Sequence, residues 1–225
     1  MKGAAAIPGY LQETYWWAYV HPRAVRLFER QWLANVILWG NFARLRDAAL
    51  DALGEPTGRT LQVACVYGDF TTRLATRLPQ GARLDVVDVL PIQLANLQAK
   101  LGAAPAVRLL HHDASDLPME DHTYDRAVLF FLLHEMPLHV RRRTLAQALR
   151  VVKPGGRVVI VDYHRPSAWH PLRVPMHWVL RLLEPYALDL WRHDIHTWLP
   201  ALRPGALAKR TFYGGLYQRI VVTRD

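Results

Sequence analysis

At 225 residues and 51% apolar composition, the chain has room for one well-filled domain with a small helical extension. Its single cysteine, Cys65, excludes an internal disulfide framework and suits a reducing compartment. The formal charge of +9 favours an anionic partner, whether nucleic acid, acidic lipid or a charged small molecule, without choosing among them.

The N-terminal stretch "MKGAAAIPGYLQET" has no long apolar core, so no secretory signal is expected. No charge-free apolar run reaches the roughly 20 residues that span a bilayer, so the protein is expected in solution or on a membrane surface. Residues 10–54 read as helical and end at "LGEPTGR", where Gly and Pro break the pattern. This segment is rich in aromatics: Tyr10, Tyr15, Trp16, Trp17, Tyr19, Phe28, Trp32, Trp39 and Phe42.

From residue 59 strands and helices alternate. Strands are predicted at 59–65, 83–88, 106–110, 124–133 and 156–163, and helices at 69–78, 91–101 and 139–152. Short apolar runs separated by helices imply parallel strands with helical crossovers. Beyond 164 comes a mixed helix-and-loop stretch rich in Trp, His and Arg, then two strands, 209–214 and 216–223, joined near "YGGLY". The expected fold is α/β: a doubly wound, Rossmann-like sheet, mostly parallel with its last strand antiparallel, behind an N-terminal helical extension. The expected division is 1–54 as an aromatic lid or membrane-contact segment and 55–225 as the main domain, with 164–205 as a substrate lid.

In open α/β sheets, ligands bind beyond the carboxyl ends of the strands. The first strand-to-helix turn, "ACVYGDF", places Gly68 just before a helix, where a missing Cβ lets a ligand approach. "RLDVVDV" puts Asp88 at the end of the second strand, where an acid can accept both hydroxyls of a ribose. "LLHHDASDLP" places Asp113 after the third strand, within reach of an adenine amino group. "EDHTYDRAVLFFLLHE" is an acidic turn entering a buried strand, and "ALRVVKPGGRVVIVDYH" is a helix, a Pro-Gly-Gly turn and a strand. Each feature alone has a structural explanation, such as an Asp capping a helix or a turn that only reverses the chain. The ordered set is more specific.

That set resembles the class I S-adenosylmethionine-dependent methyltransferase superfamily over about residues 55–225. The resemblance implies that the 62–68 turn holds the methionine part of the cofactor, Asp88 the ribose and Asp113 the adenine. The implied contacts are Gln62, Ala64, Val66, Tyr67, Gly68, Asp88, Val89, Asp113, Ala114 and Phe130, with backbone help from Ser115. The departures are clear. Gln62 stands where an acid is usual, and Ala64 and Val66 replace glycines.

The chain is also similar to a narrower group, the rhodoquinone biosynthesis proteins. The matching stretches are "YWWAYVHPRAVRLFERQWLANVILWGNFARLRD", "LQVACVYGDF", "LDVVDVLPIQLANL", "LFFLLHEMP", "RRRTLAQALRVVKPGG", "VDYHRP" and "LLEPYALDLW". They include the altered first turn, which therefore belongs to a family pattern. The resemblance implies replacement of a methoxy group of ubiquinone by an amino group, with S-adenosylmethionine as nitrogen donor and a divalent metal, manganese, as a second cofactor. A metal could polarise a quinone carbonyl. His134 and Glu135, at the carboxyl end of the fourth strand, and Asp162 and His164, two apart and so on one face at the end of the fifth, are the candidate ligands. Tyr67, Tyr163 and His164 are the candidate proton-transfer residues, and "RRR" (141–143) is read as a solvated helix start, with contact to lipid phosphates as the alternative. The lipid substrate implies a cytoplasmic protein held peripherally on the respiratory membrane by its aromatic and basic stretches. The rival readings are an ordinary methyltransferase of a quinone or phenol, a non-catalytic binding protein, and a nucleic-acid methyltransferase. The Asn-Pro-Pro-Tyr type word of amino-methylating members is absent, "LLHEMP" standing in its place, so no nucleic-acid partner is expected.

Overall fold

The computed structural model describes residues 7–15, 30–199 and 202–225. Seven strands form one sheet in the order β3-β2-β1-β4-β5-β7-β6. They are β1 (Arg59–Val63), β2 (Arg83–Asp88), β3 (Val107–His111), β4 (Tyr124–Phe130), β5 (Val152–Tyr163), β6 (Leu207–Phe212) and β7 (Tyr217–Thr223). β1 to β5 pair in parallel, while β7 lies antiparallel between β5 and β6. This is the expected doubly wound sheet with its last strand reversed. The strand order turns back between β1 and β4, which makes that boundary the switch point where a crevice opens.

The described helices are α1 (Gly9–Thr14), α2 (Gln31–Ile37), α3 (Phe42–Leu53), α4 (Phe70–Thr76), α5 (Pro91–Leu101), α6 (Leu138–Val151), α7 (Arg173–Leu183) and α8 (Asp189–Arg192). Central strands read as near-continuous apolar runs because helices cover both faces of the sheet. Leu61, Val63, Ala127 to Leu129 and Val158 to Val161 have no exposure. α5 begins at Pro91, whose missing N–H is not needed in a first turn.

Three expectations shift. The helical stretch 10–54 is broken: Trp39 and Gly40 take positive φ, 51° and 77°, and part α2 from α3. α3 then sends Phe42, Leu45, Ala49, Leu50 and Leu53 into the same core as the sheet. Trp16, Trp17, Tyr19 and Phe28 lie outside the described residues. Second, β4 stops at Phe130; Phe131 turns the chain at φ 52°, and Leu133–Glu135 form one 3-10 turn. Third, "KPGG" is a bulge within β5 rather than a plain turn. Pairing jumps from Tyr124↔Val152 to Arg126↔Arg157. Gly156 is required there, since a Cβ would fall 2.6 Å from the Asp125 carbonyl oxygen.

Candidate active site

The first turn keeps its shape without its usual glycines. Leaving β1, Ala64 takes φ 72°, a left-handed conformation that costs a side-chain-bearing residue about 1 kcal/mol. Its N–H donates to the Val87 carbonyl at 2.8 Å. Gln62, fully buried, donates from Nε2 to the Ala64 carbonyl and to the Thr71 hydroxyl, both at 2.9 Å. A carboxylate has no N–H to give a carbonyl oxygen, so the change from acid to amide is what lets this side chain hold the strained turn. Gln62 thus clasps the turn from beneath, instead of lining the cleft as expected. Gly68 takes φ 80°, and its carbonyl accepts from Lys100 Nζ at 2.6 Å. Arg46 of α3 reaches Asp69 at 2.7 Å and ties the extension to this turn.

A cleft of about 680 Å³ opens above the carboxyl ends of β1 to β3. Among the expected residues Ala64, Tyr67, Asp88, Val89, Asp113 and Ala114 line it, and Cys65 of the same turn joins them. Asp88 Oδ2 accepts from the Cys65 N–H at 2.7 Å, and Oδ1 accepts from the Leu90 N–H at 2.8 Å. Burial pushes its pKa up, and those main-chain donors oppose the rise. The Cys65 thiol and the Val89 N–H also point at this carboxylate, which therefore gathers donors at the strand end. Asp113 Oδ1 accepts from the Ser115 N–H at 2.7 Å. Tyr10, Gln93, Phe131 and Glu135 also line the cleft and were not among the expected contacts. Gln93 Nε2 donates to the Tyr67 hydroxyl at 2.7 Å. Burial, with the charges of Glu135, Asp113 and Asp88, holds the Tyr10 hydroxyl well above the usual phenol pKa, so it stays a neutral donor.

A second pocket of about 810 Å³ adjoins the first and shares Cys65, Tyr67, Phe131 and Glu135 with it. Val66 and Phe130 face this pocket and not the first cleft. Its walls are mostly apolar, from Ala34, Ile37, Leu38 and Phe42, with His134, Tyr163 and Glu184 as the other polar groups. Phe131 stands edge-on to Tyr163 at 5.4 Å, and Tyr163 edge-on to His134 at 5.0 Å. Phe130 stacks on Phe70 at 4.5 Å behind them. Burial would lower the pKa of His134, but the carboxylate of Asp162, 3.0 Å from Nδ1, outweighs it and pushes the ring up to about 9. Burial raises Glu184, against the charge of His134. The Tyr163 hydroxyl is raised well above its ordinary value, mainly by burial.

The four expected metal ligands do not converge. Asp162 has no exposure, and its oxygens are already claimed: Oδ2 by the Leu133 and His134 N–H groups at 2.8 and 3.3 Å, Oδ1 by the Tyr163 N–H at 2.8 Å and by His134 Nδ1. His164 lies past the end of β5, so the two-residue alternation that would pair it with Asp162 no longer applies. Its Nδ1 is 2.7 Å from the Gly215 carbonyl, it lines neither cavity, and burial lowers its pKa. His134 sits between Asp162, on Nδ1 at 3.0 Å, and Glu135, Nε2 to Oε1 at 3.7 Å, so these groups are strung along one ring and not aimed at a common point. Among the described residues no cluster of three or more His, Cys, Asp or Glu has the geometry to hold an ion. The donor set therefore does not fit manganese, and His164 does not belong with Tyr67 and Tyr163.

Arg141 corrects the solvated reading of the three arginines. Arg142 and Arg143 are exposed, but Arg141 has no exposure. It donates from Nε to the Leu133 carbonyl and from Nη2 to those of Met136 and Tyr186, each at 2.9 Å. Its guanidinium also covers the Trp198 ring at 4.3 Å. It pins the His134–Glu135 loop from α6. Glu184 was overlooked too, though one signal was present: it is the only acid between Tyr163 and Leu188.

A crevice at the switch point, carrying Asp88 and Asp113 at successive strand ends, invites comparison with known proteins. Residues 60–156 match a family model described as a methyltransferase domain. An uncharacterized methyltransferase of Synechocystis is 31% identical over 68% of each chain. The chain belongs to the class I S-adenosylmethionine-dependent methyltransferases. A demethylmenaquinone methyltransferase of Bacillus licheniformis is 30% identical over 59% of this methyltransferase-family chain and 57% of its own length. A second, from Bacillus cytotoxicus, is 33% identical over 50% and 48%. The chain spans about half the length of these curated relatives. Among solved structures, an O-methyltransferase family protein from Burkholderia thailandensis superposes with TM-score 0.64 at 17% identity, covering 90% of this chain and 60% of that one. The N-methyltransferase NodS of Bradyrhizobium japonicum gives 0.60 at 15%, covering 81% and 96%. At such identities they speak for the shared fold.

Proposed function

We propose that this protein is an S-adenosylmethionine-dependent transferase that modifies the ring of a membrane quinone, replacing a methoxy group of ubiquinone with an amino group. The observation that carries the reading is the pair of joined cavities. A polar cleft with Asp88 and Asp113 opens, past Cys65 and Tyr67, into an aromatic-walled pocket with three polar groups at its far side. That is the layout a nucleoside cofactor and a flat, lipid-tailed ring require. When bound, S-adenosylmethionine would supply either an electrophilic methyl or, from its methionine end, an amino nitrogen; in the second case the nitrogen bonds to the ring carbon, the methoxy group leaves as methanol, and the Cα–N bond then breaks with loss of a neighbouring proton.

The chain's own groups divide the work. Asp88 accepts the ribose hydroxyls and Asp113 the adenine amino group. The clasped turn presents Val66 and Tyr67 where a bare glycine backbone is usual, so a methionine end held there would meet side chains and be turned by them. Phe131 and Tyr163 wall the ring's pocket and exclude water. His134, held by Asp162 through Nδ1, donates a proton or hydrogen bond from Nε2 to a ring carbonyl. Glu184 receives a proton at its carboxylate. No step passes through a metal.

A second reading, methyl transfer to a quinone ring, is favoured by the demethylmenaquinone methyltransferases among the relatives. The altered turn and the long shared words favour amino transfer. The test is mass spectrometry of the product from short-chain ubiquinone and S-adenosylmethionine carrying ¹⁵N on its amino group, with and without added Mn²⁺. Loss of methoxy with gain of labelled nitrogen is expected. A methylated product overturns amino transfer and establishes the second reading.

A further inference from the structure

α7 inverts the usual pattern of a helix lying on a sheet. Such a helix turns one apolar stripe inward and polar residues outward. In "RVPMHWVLRLL", Met176 and Leu180, four apart, are the buried pair. Arg173, His177 and Arg181 repeat at the same spacing and form a basic stripe beside them. The rest of the circumference is apolar and faces outward: Val174, Trp178, Val179, Leu182 and Leu183, with Leu182 74% exposed.

α2 repeats this on a smaller scale. Trp32 and Val36, four apart, are 57% and 61% exposed, and Ile37 and Trp39 follow them into solvent. The two helices are far apart in sequence, yet Trp39 Nε1 lies 3.0 Å from Met176 Sδ, so half-exposed Trp39 rests against α7. The second pocket reaches the same place. Ala34, Ile37 and Leu38 line it, as does Glu184, which directly follows α7.

Scattered exposed apolar side chains need no explanation, but a contiguous patch marks an interaction surface. Charge and composition choose its partner. The Arg181 guanidinium lies over the Trp178 ring at 5.4 Å, the indole-plus-cation pairing suited to a headgroup layer. A formal charge of +9 draws the protein to an anionic leaflet. Among the described residues no helix is long and apolar enough to cross a membrane, so the contact is with its surface. We infer that the α2–α7 face docks on an anionic phospholipid bilayer and turns the mouth of the second pocket towards the lipid. The identity of what enters there, a lipid-tailed quinone, rests on the proposed function; the docking does not.

The test uses the full chain and vesicles free of quinone and cofactor, made of phosphatidylcholine with or without phosphatidylglycerol. The protein is expected to sediment with the phosphatidylglycerol vesicles and to be released by salt. Trp178→Glu with Leu182→Glu should weaken that binding by at least about tenfold, with an unchanged circular dichroism spectrum and unchanged turnover of a short-tailed quinone. Arg173→Gln with Arg181→Gln should cost about tenfold on anionic vesicles only. The inference is overturned if the wild-type protein stays in the supernatant or if the Glu pair sediments like wild type. Light scattering that shows a dimer dissolved by the Glu pair would also overturn it, making the face an interface between copies. Binding without turnover supports the docking and counts against the quinone reading alone.

Discussion

At the nucleoside end of the proposed cofactor cleft, Asp88 and Asp113 sit at the tips of β2 and β3 with main-chain N–H groups on their carboxylates, and neither has positive φ. At the methionine end, β1 runs into Ala64 at φ 72°, held by the buried amide of Gln62. The first end needs only strands of the right length and an acid at each tip. The second replaces the freedom of glycine with side-chain hydrogen bonds, and in doing so puts bulk from Val66 and Tyr67 at the boundary with the second pocket. A site can therefore keep its nucleoside grip while its reactive end is rebuilt.

The strongest way to break that comparison is to remove what both ends lean on. Arg141→Ala strips the Leu133, Met136 and Tyr186 carbonyls of their donor and frees the His134–Glu135 loop shared by the two cavities. A loss of about 3–5 kcal/mol in urea unfolding is expected; a loss under about 1 kcal/mol would show that the loop holds itself. At the nucleoside end, Asp88→Ala should weaken S-adenosylmethionine binding about a hundredfold in calorimetric titration, because hydrogen bonds to a charged group contribute about 1.5–3 kcal/mol each. Unchanged affinity would move the ribose elsewhere.

Smaller changes sharpen the methionine end. Gln62→Ala removes the clasp and should cost about 1–2 kcal/mol while leaving nucleoside affinity within a few fold. Ala64→Gly relieves the left-handed strain and should raise the melting temperature by about 2–4 °C. Combined with Val66→Gly it should lower amination, and unaltered amination would separate the turn from the chemistry. A pH profile probes the loop between the two cavities. His134 is raised from 6.5 to about 9 by Asp162 despite its burial. Its charged form is thus favoured by the fold. That contribution is fully present below about pH 6.5 and disappears as pH rises through about 9. The urea midpoint should fall across this window in the wild type and flatten in His134→Gln; a flat wild-type profile would mean that the pair is not charged in the folded protein.

Much of the fold was legible. α5 was predicted at 91–101, its observed bounds, because Pro91 starts it and Gly102 ends it, signals that lie within the helix's own neighbourhood. Asp88 and Asp113 were legible for a similar reason: a strand that ends on an acid presents it at the crevice. Local signals failed where partners came from far along the chain. Nothing adjacent to Asp162 announces that its oxygens are taken by residues 133 and 134. Nothing beside Arg141 shows that Tyr186 will accept from it and Trp198 will stack on it.

Residue pattern by itself determined the strand–helix alternation, the reversed last strand, the acids at two strand ends and the oddity of the first turn. These follow from periodicity and turn chemistry, which act over a few residues. Tertiary structure decided which polar groups remain available for a ligand. It turned Gln62 inward, saturated Asp162, sent His164 to the Gly215 carbonyl, and brought Tyr10 and Glu184 to the two cavities from opposite ends of the chain. The reason is that a side chain's chemistry depends on which neighbours already hold its lone pairs and protons, and those neighbours are chosen only when the sheet and its helices close.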